Sequence, residues 1–124
     1  MNRATFERLV AEALDGLPEQ FLAHMENVEV VIEEWPTPDE LADAGLAKDE
    51  RTELLGLYEG VPLTERDTGY AGFLPDRITL FQGPIQAVTG SDAEAIRAEV
   101  RTTVVHEVAH YFGISDDRLD ELGW

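Results

Sequence analysis

Only three histidines occur in 124 residues, and two of them stand four apart in the stretch TVVHEVAHYFGISDD, residues 103–117. His106 and His110 bracket Glu107, with Gly113 and Asp116 close behind. On a helix, positions i and i+4 share a face, so both imidazoles can offer a ring nitrogen to one Zn²⁺ at about 2.1 Å. The residue after the first histidine then points beside the metal, which puts the Glu107 carboxylate near a bound water. That is the chemistry of metal-assisted hydrolysis. A catalytic zinc takes three protein ligands plus water. Fourteen residues follow His110, too few for a glutamate on a distant second helix. Gly113 turns the chain back, and Asp116, six positions beyond His110, is the first carboxylate able to reach the same ion. The full spacing is H-E-x-x-H-x-x-G-x-x-D. Asp117, Asp120 and Glu121 are nearby competitors, and Asp116 has a second use as the N-cap of a short tail helix.

The element that must carry these groups is a helix of about six turns. Ser91-Asp-Ala-Glu94 reads as a capping box, and Gly113 supplies the left-handed residue that ends the helix after Phe112. At about 100° per residue, Ile96, Val100, Val104 and Tyr111 form its inward stripe, and Glu107 falls on that stripe. His106 and His110 lie to one side, within an arc of about 100° that includes Glu107. Val105, Val108, Ala109 and Phe112 fill the remainder, so this part of the helix is apolar nearly all round. Polar groups on a helix of that kind need partners, and a metal ion is one.

Upstream, residues 5–14 carry Phe6, Leu9, Val10, Ala13 and Leu14 at helical spacing, with Thr5 as the expected N-cap and Gly16 past the end. Residues 18–25 open with proline and read as a second short helix. Residues 28–35 are β-branched and partly alternating, hence a strand stopped by Pro36 and Pro38. The stretch TPDELADAGL predicts a short helix. LLGLY, residues 54–58, predicts a strand weakened by Gly56, and RITLFQ, residues 77–82, a strand closed by Gly83-Pro84. Between them, residues 59–77 are rich in glycine and proline and read as a loop. Residues 116–122 predict an acidic tail helix. The order predicts one α+β domain over residues 1–124, a small mixed sheet against the long helix.

Charge sets the class of partner. With 26 acidic and 9 basic side chains the formal net charge is −17, which argues against nucleic acid and anionic membranes and favours cations or basic partners, although so high an acidic count more often serves solubility alone. With no cysteine, thiolate metal sites and disulfides are excluded. No run approaches the roughly 18 apolar residues of a membrane span, and the charged N-terminus lacks a signal-peptide core, so the expectation is a cytoplasmic protein.

HEVAHYFGISDDRLDELGW resembles the zincin metallopeptidases in their H-E-x-x-H-x-x-G-x-x-D form, and is most similar to a family of short bacterial zincin-like proteins, the minimal metalloproteases. LGLYEGVPLTER, GYAGFLPDRITLFQGP and the closing DELGW also look like stretches of that family, so the resemblance spans at least the C-terminal two thirds. It implies a compact zincin core, one zinc per chain held by His106, His110 and Asp116, and Glu107 as catalytic glutamate. Metzincins add a methionine-containing turn after the third ligand. Here eight residues follow Asp116 without a methionine, and Met1 and Met25 lie upstream. The short family also lacks that turn.

The expected activity is zinc-dependent hydrolysis of a peptide or protein substrate, with Glu107 as general base. Two histidines and a carboxylate also suit Fe(II), but the HExxH helix with its glutamate favours zinc. The alternative is a non-catalytic protein on a zincin scaffold, binding a basic partner through its acidic surface. His24 has no motif partner and reads as an ordinary helix histidine. Tyr70 reads as a loop anchor, with a second role as a phenol donor to a tetrahedral intermediate. RITLFQ and LLGLY are both candidates for the sheet edge that takes an added substrate strand. Arg66, Arg77 and Arg118 are expected to pair with neighbouring carboxylates.

Overall fold

The computed structural model describes residues 1–25, 28–60, 76–111, 113–114 and 116–121. The first helix, α1 (Arg3–Asp15), buries Phe6, Leu9, Val10 and Ala13, the apolar stripe that its spacing demands. Its cap is Asn2 rather than Thr5: Asn2 Oδ1 accepts from the Thr5 N–H at 2.8 Å. The helix thus starts early, because Asn2 already satisfies an orphan amide of the first turn. α2 (Glu19–His24) follows Pro18. β1 (Val28–Glu33) is stopped before Pro36. α3 (Pro38–Asp43) has a complete capping box, Thr37 with Glu40, and proline in its first turn. A 3-10 segment (Lys48–Glu53) leads into β2 (Gly56–Glu59).

β3 (Asp76–Phe81) is the central strand, parallel to β1 and antiparallel to β2, giving a mixed sheet of order β1-β3-β2. RITLFQ is therefore not an edge; among the described residues the outer strands are β1 and β2, the latter within LLGLY. Register puts Ile32, Leu80 and Gly56 in one row and Val30, Ile78 and Tyr58 in the next. These rows face the main core with α1 and the long helix. The opposite face carries Phe81 against Leu41 and Leu54, with Leu57 beside them. This is the period-two alternation of a sheet covered on both sides.

Gly83-Pro84 does not end β3 in a loop. α4 (Gln82–Thr89) begins directly after Phe81 and contains both residues. Its third residue is Pro84, where the backbone N–H has no helical acceptor, so proline costs no hydrogen bond. Gly83 is required by contact: a Cβ there would lie 2.5 Å from the Trp35 ring. The buried Gln82 is fully engaged, accepting from Arg3 Nε at 3.0 Å and donating to the Met1 carbonyl at 3.0 Å and Gln86 Oε1 at 2.9 Å.

α5 (Ala93–Tyr111) is the long helix. Its cap is Asp92, not Ser91: Asp92 Oδ1 accepts from the Glu94 N–H at 3.3 Å, and the Asp92 carbonyl takes the first helical bond from Ile96 at 2.9 Å. The Ser91–Glu94 capping box is replaced by this single-residue shift. At the other end Gly113 has φ +77°, and the Ile114 N–H donates to the Ala109 carbonyl at 2.8 Å. That six-to-one bond reverses the chain, with Ile114 packed on the core. α6 (Asp116–Glu121) comes next. Among the described residues no helix is long and apolar enough to cross a membrane.

Candidate active site

α5 lies against α1 on one side and the sheet on the other. Ile96, Val100 and Val104 are each 0% exposed, and Val105, Val108 and Ala109 are also buried. His106 and Glu107 are half-buried, so the polar pair emerges where the helix leaves the core. The two residues leave α5 in different directions. Glu107 turns towards the sheet, where its Oε1 accepts the backbone N–H of Tyr58 at 3.3 Å. His106 stands on the ridge between two cavities that both include Thr102.

The contact between Glu107 and β2 follows from register. The Phe81 N–H donates to the Leu55 carbonyl at 3.0 Å, so Leu55 and Leu57 exchange bonds with β3 while Gly56 and Tyr58 turn their backbone groups outward. Tyr58 thereby presents its amide to the helix. Its hydroxyl donates to Asp76 Oδ2 at 2.8 Å, tying β2 to the start of β3. Gly56 sets the approach. A Cβ there would fall 2.7 Å from Thr103 Cγ2, so a larger residue would push β2 off α5. The glycine that weakens the strand in isolation seats it on the helix.

One cavity, about 250 Å³, lies between α5 and the entry to β2, lined by Glu53, Leu55, Gly56, Glu99, His106 and Glu107 among others. The Glu53 carboxyl is held above its usual range by a hydrogen bond and charge repulsion from Glu50, whose own value is lowered by the Ala47 amide. The other cavity, about 300 Å³, lies between α5 and the α1–α2 corner, lined by Gly16, Leu17, Pro18, Arg101, Val105 and His106 among others.

The family comparison decides what this helix belongs to: a family model described as Zincin-like metallopeptidase matches residues 25–124, from the end of α2 through α6. The chain belongs to the zincin-like metallopeptidase family. The family name implies zinc binding in general. A solved structure, described as a conserved hypothetical protein from Thermo thermophilus, is similar at 29% identity with a TM-score of 0.56. The likeness covers 90% of this chain and 94% of that one. No curated protein matches the chain.

Of the zincin-like site expected from sequence, the structure describes the side chains of His106 and Glu107 and brings both to the half-buried face of α5. For His110 and Asp116 it describes the backbone, one turn further along α5 and at the start of α6, while their side chains lie outside the described residues. The His24 side chain, Phe112, Tyr70 and Arg66 are outside them too. Arg77 pairs with Glu59 at 3.4 Å and Arg118 with Glu121 at 2.9 Å, as expected. Among the described side chains no three His, Asp or Glu residues form a metal-holding group. The donor types nonetheless suit zinc: two histidines one turn apart on α5, followed after Gly113 by a helix, α6, that carries carboxylates. Sequence reasoning missed the Tyr58 amide and the role of Gly56. Their partners, Glu107 and Thr103, lie far along the chain and leave no local signal.

Proposed function

We propose that the protein is a zinc-dependent metallopeptidase, with His106, His110 and Asp116 as ligands to one zinc and Glu107 as general base. The observation that supports this best is the Glu107 carboxylate held against the outer edge of β2, beside His106 and an open cavity. When bound there, zinc supplies Lewis-acid activation of a water and of the scissile carbonyl. The protein's own groups do the rest. The outward backbone groups of Gly56 on β2 take the substrate as an added antiparallel strand, which lays its peptide bonds across the face carrying His106 and Glu107. The Tyr58 amide on Oε1 fixes the carboxylate in orientation. Glu107 takes a proton from the attacking water and delivers it to the departing amine nitrogen. Buried Val104, Val105 and Val108 keep that stretch of α5 rigid, so the carboxylate does not have to be ordered at each turnover.

Untagged protein reconstituted with zinc is expected to hold one ion per chain, and His106→Ala or His110→Ala to lose it. Glu107→Gln is expected to keep the zinc and lose peptide hydrolysis. Zinc stoichiometry near zero would end this reading and leave the non-catalytic alternative, an acidic scaffold for a basic partner.

A further inference from the structure

Among the described residues Arg101 stands apart from the other cations in a chain crowded with carboxylates. Arg3, Arg77, Arg97 and Arg118 each pair with a glutamate, and Arg51 lies over the Trp35 ring at 4.4 Å. Arg8 and Lys48 are exposed, where water satisfies them. Arg101 is half-buried and lines the cavity at the α1–α2 corner, yet it makes no hydrogen bond or ion pair among the described residues. Part of the adjoining wall is apolar: Leu17 and Val105 are 6% and 7% exposed, Pro18 lies beside them, and Thr102 and His106 complete the lining. A guanidinium against such walls holds an anion more firmly than one in bulk water, and its planar fork fits a carboxylate.

Position gives the pocket a relation to the site. Arg101 precedes His106 by five residues on one helix, about 7.5 Å along the axis. An extended peptide laid along the helix advances about 3.3 Å per residue, so that rise matches about two residues of substrate. Across the His106 ridge the other cavity carries Glu53, Glu99 and Glu107, which repel a carboxylate. An acidic substrate group is thus accepted on one side of His106 and refused on the other. That contrast gives a bound peptide a direction.

We propose that the cavity walled by Arg101, Leu17, Pro18 and Val105 is a carboxylate subsite, in which Arg101 anchors a substrate peptide by an acidic side chain or a free C-terminus about two residues from the bond presented at His106. What is cut rests on the peptidase reading; what is bound does not.

The test uses zinc-loaded Glu107→Gln protein and three peptides of one apolar sequence, followed by calorimetry. The first has a free C-terminus, the second an amidated C-terminus with no acid, the third an amidated C-terminus with one internal glutamate. At least one carboxylate peptide is expected to bind about tenfold more tightly than the uncharged control, and which one identifies the source. Adding Arg101→Gln is expected to erase the difference, and Arg101→Lys to keep part of it. A preference that survives Arg101→Gln, or no preference at all, overturns the subsite. So does an equal loss for all three peptides with a lower unfolding temperature, because Arg101 would then only close the end of α1. Hydrolysis by the wild type is scored separately. Arg101-dependent binding without cleavage removes the peptidase and keeps the subsite, whereas cleavage of all three peptides at equal kcat/KM, unchanged by Arg101→Gln, does the reverse.

Discussion

The two halves of α5 obey different rules. Between Ala93 and Val104 the stripe Ile96, Val100 and Val104 is wholly buried, and the helix behaves as a core element between α1 and the sheet. From Val105 onward Val105, Val108 and Ala109 still anchor it, but Glu107 interrupts the face that looks towards β2 and His106 stands on the ridge beside it. One helix thus combines a stability function and a chemical function by dividing them along its length. The buried face of the first half can hold the second in place without touching substrate.

That division predicts effects that separate. The largest is expected at Glu107: Glu107→Gln lowers kcat by about 10³-fold, the usual scale for a lost general base, while the unfolding temperature barely moves. Glutamine keeps an oxygen to accept the Tyr58 amide, so stability is preserved. If Glu107→Gln destabilises the protein as much as a core truncation does, the two halves are not distinct. Next, Ile96→Ala in the first half is expected to cost about 2–5 kcal/mol in denaturant unfolding, with kcat of the remaining folded protein unchanged.

A substitution at the junction should touch both properties. Gly56→Ala forces a methyl to within 2.7 Å of Thr103 Cγ2 and displaces β2 from α5. The expected cost is about 1–3 kcal/mol with a fall in hydrolysis, and Thr103→Ser, which deletes that methyl, restores part of both. Additive losses in the double variant would show that the contact does not set the approach.

The smallest effect lies away from the helix. Burial, then the charge of Glu40 and a hydrogen bond to it, raise the Glu33 carboxyl above its ordinary value of 4.5, with Arg77 in partial opposition. A raised carboxyl binds its proton more tightly in the folded state. Its contribution to stability is therefore present below pH 4.5 and lost as pH rises through the folded value. Glu33→Gln should give a small rise in unfolding temperature at about pH 7 that vanishes in acid, whereas His106 and Glu107 variants should not share that profile.

Much of this was legible in the sequence where local pattern and global role agree. The apolar spacing of α1 and α5, the glycine at the end of α5 and the place of His106 and Glu107 on one long helix all read correctly, because a helix periodicity carries them. The helix starts are displaced from their expected places: Asn2 and Asp92 compete with Thr5 and Ser91 as caps, and several polar residues near a helix start look equally able. α4 leaves no readable signal because glycine and proline break most elements. Here proline stands where no bond is lost, and glycine is demanded by Trp35. The sequence offers two candidates for the edge strand, because strand order is decided by pairings between distant segments. The closeness of Glu107 to Tyr58 belongs to the same class.

The passage from β3 to α4 without a connecting residue has a consequence for how the molecule opens. Phe81 ends the strand and Gln82 begins the helix, so there is no slack at that corner to absorb an insertion or admit a protease. The central strand and the helix must melt as one cooperative unit. Their amide protons should therefore be among the slowest in the protein to exchange with solvent.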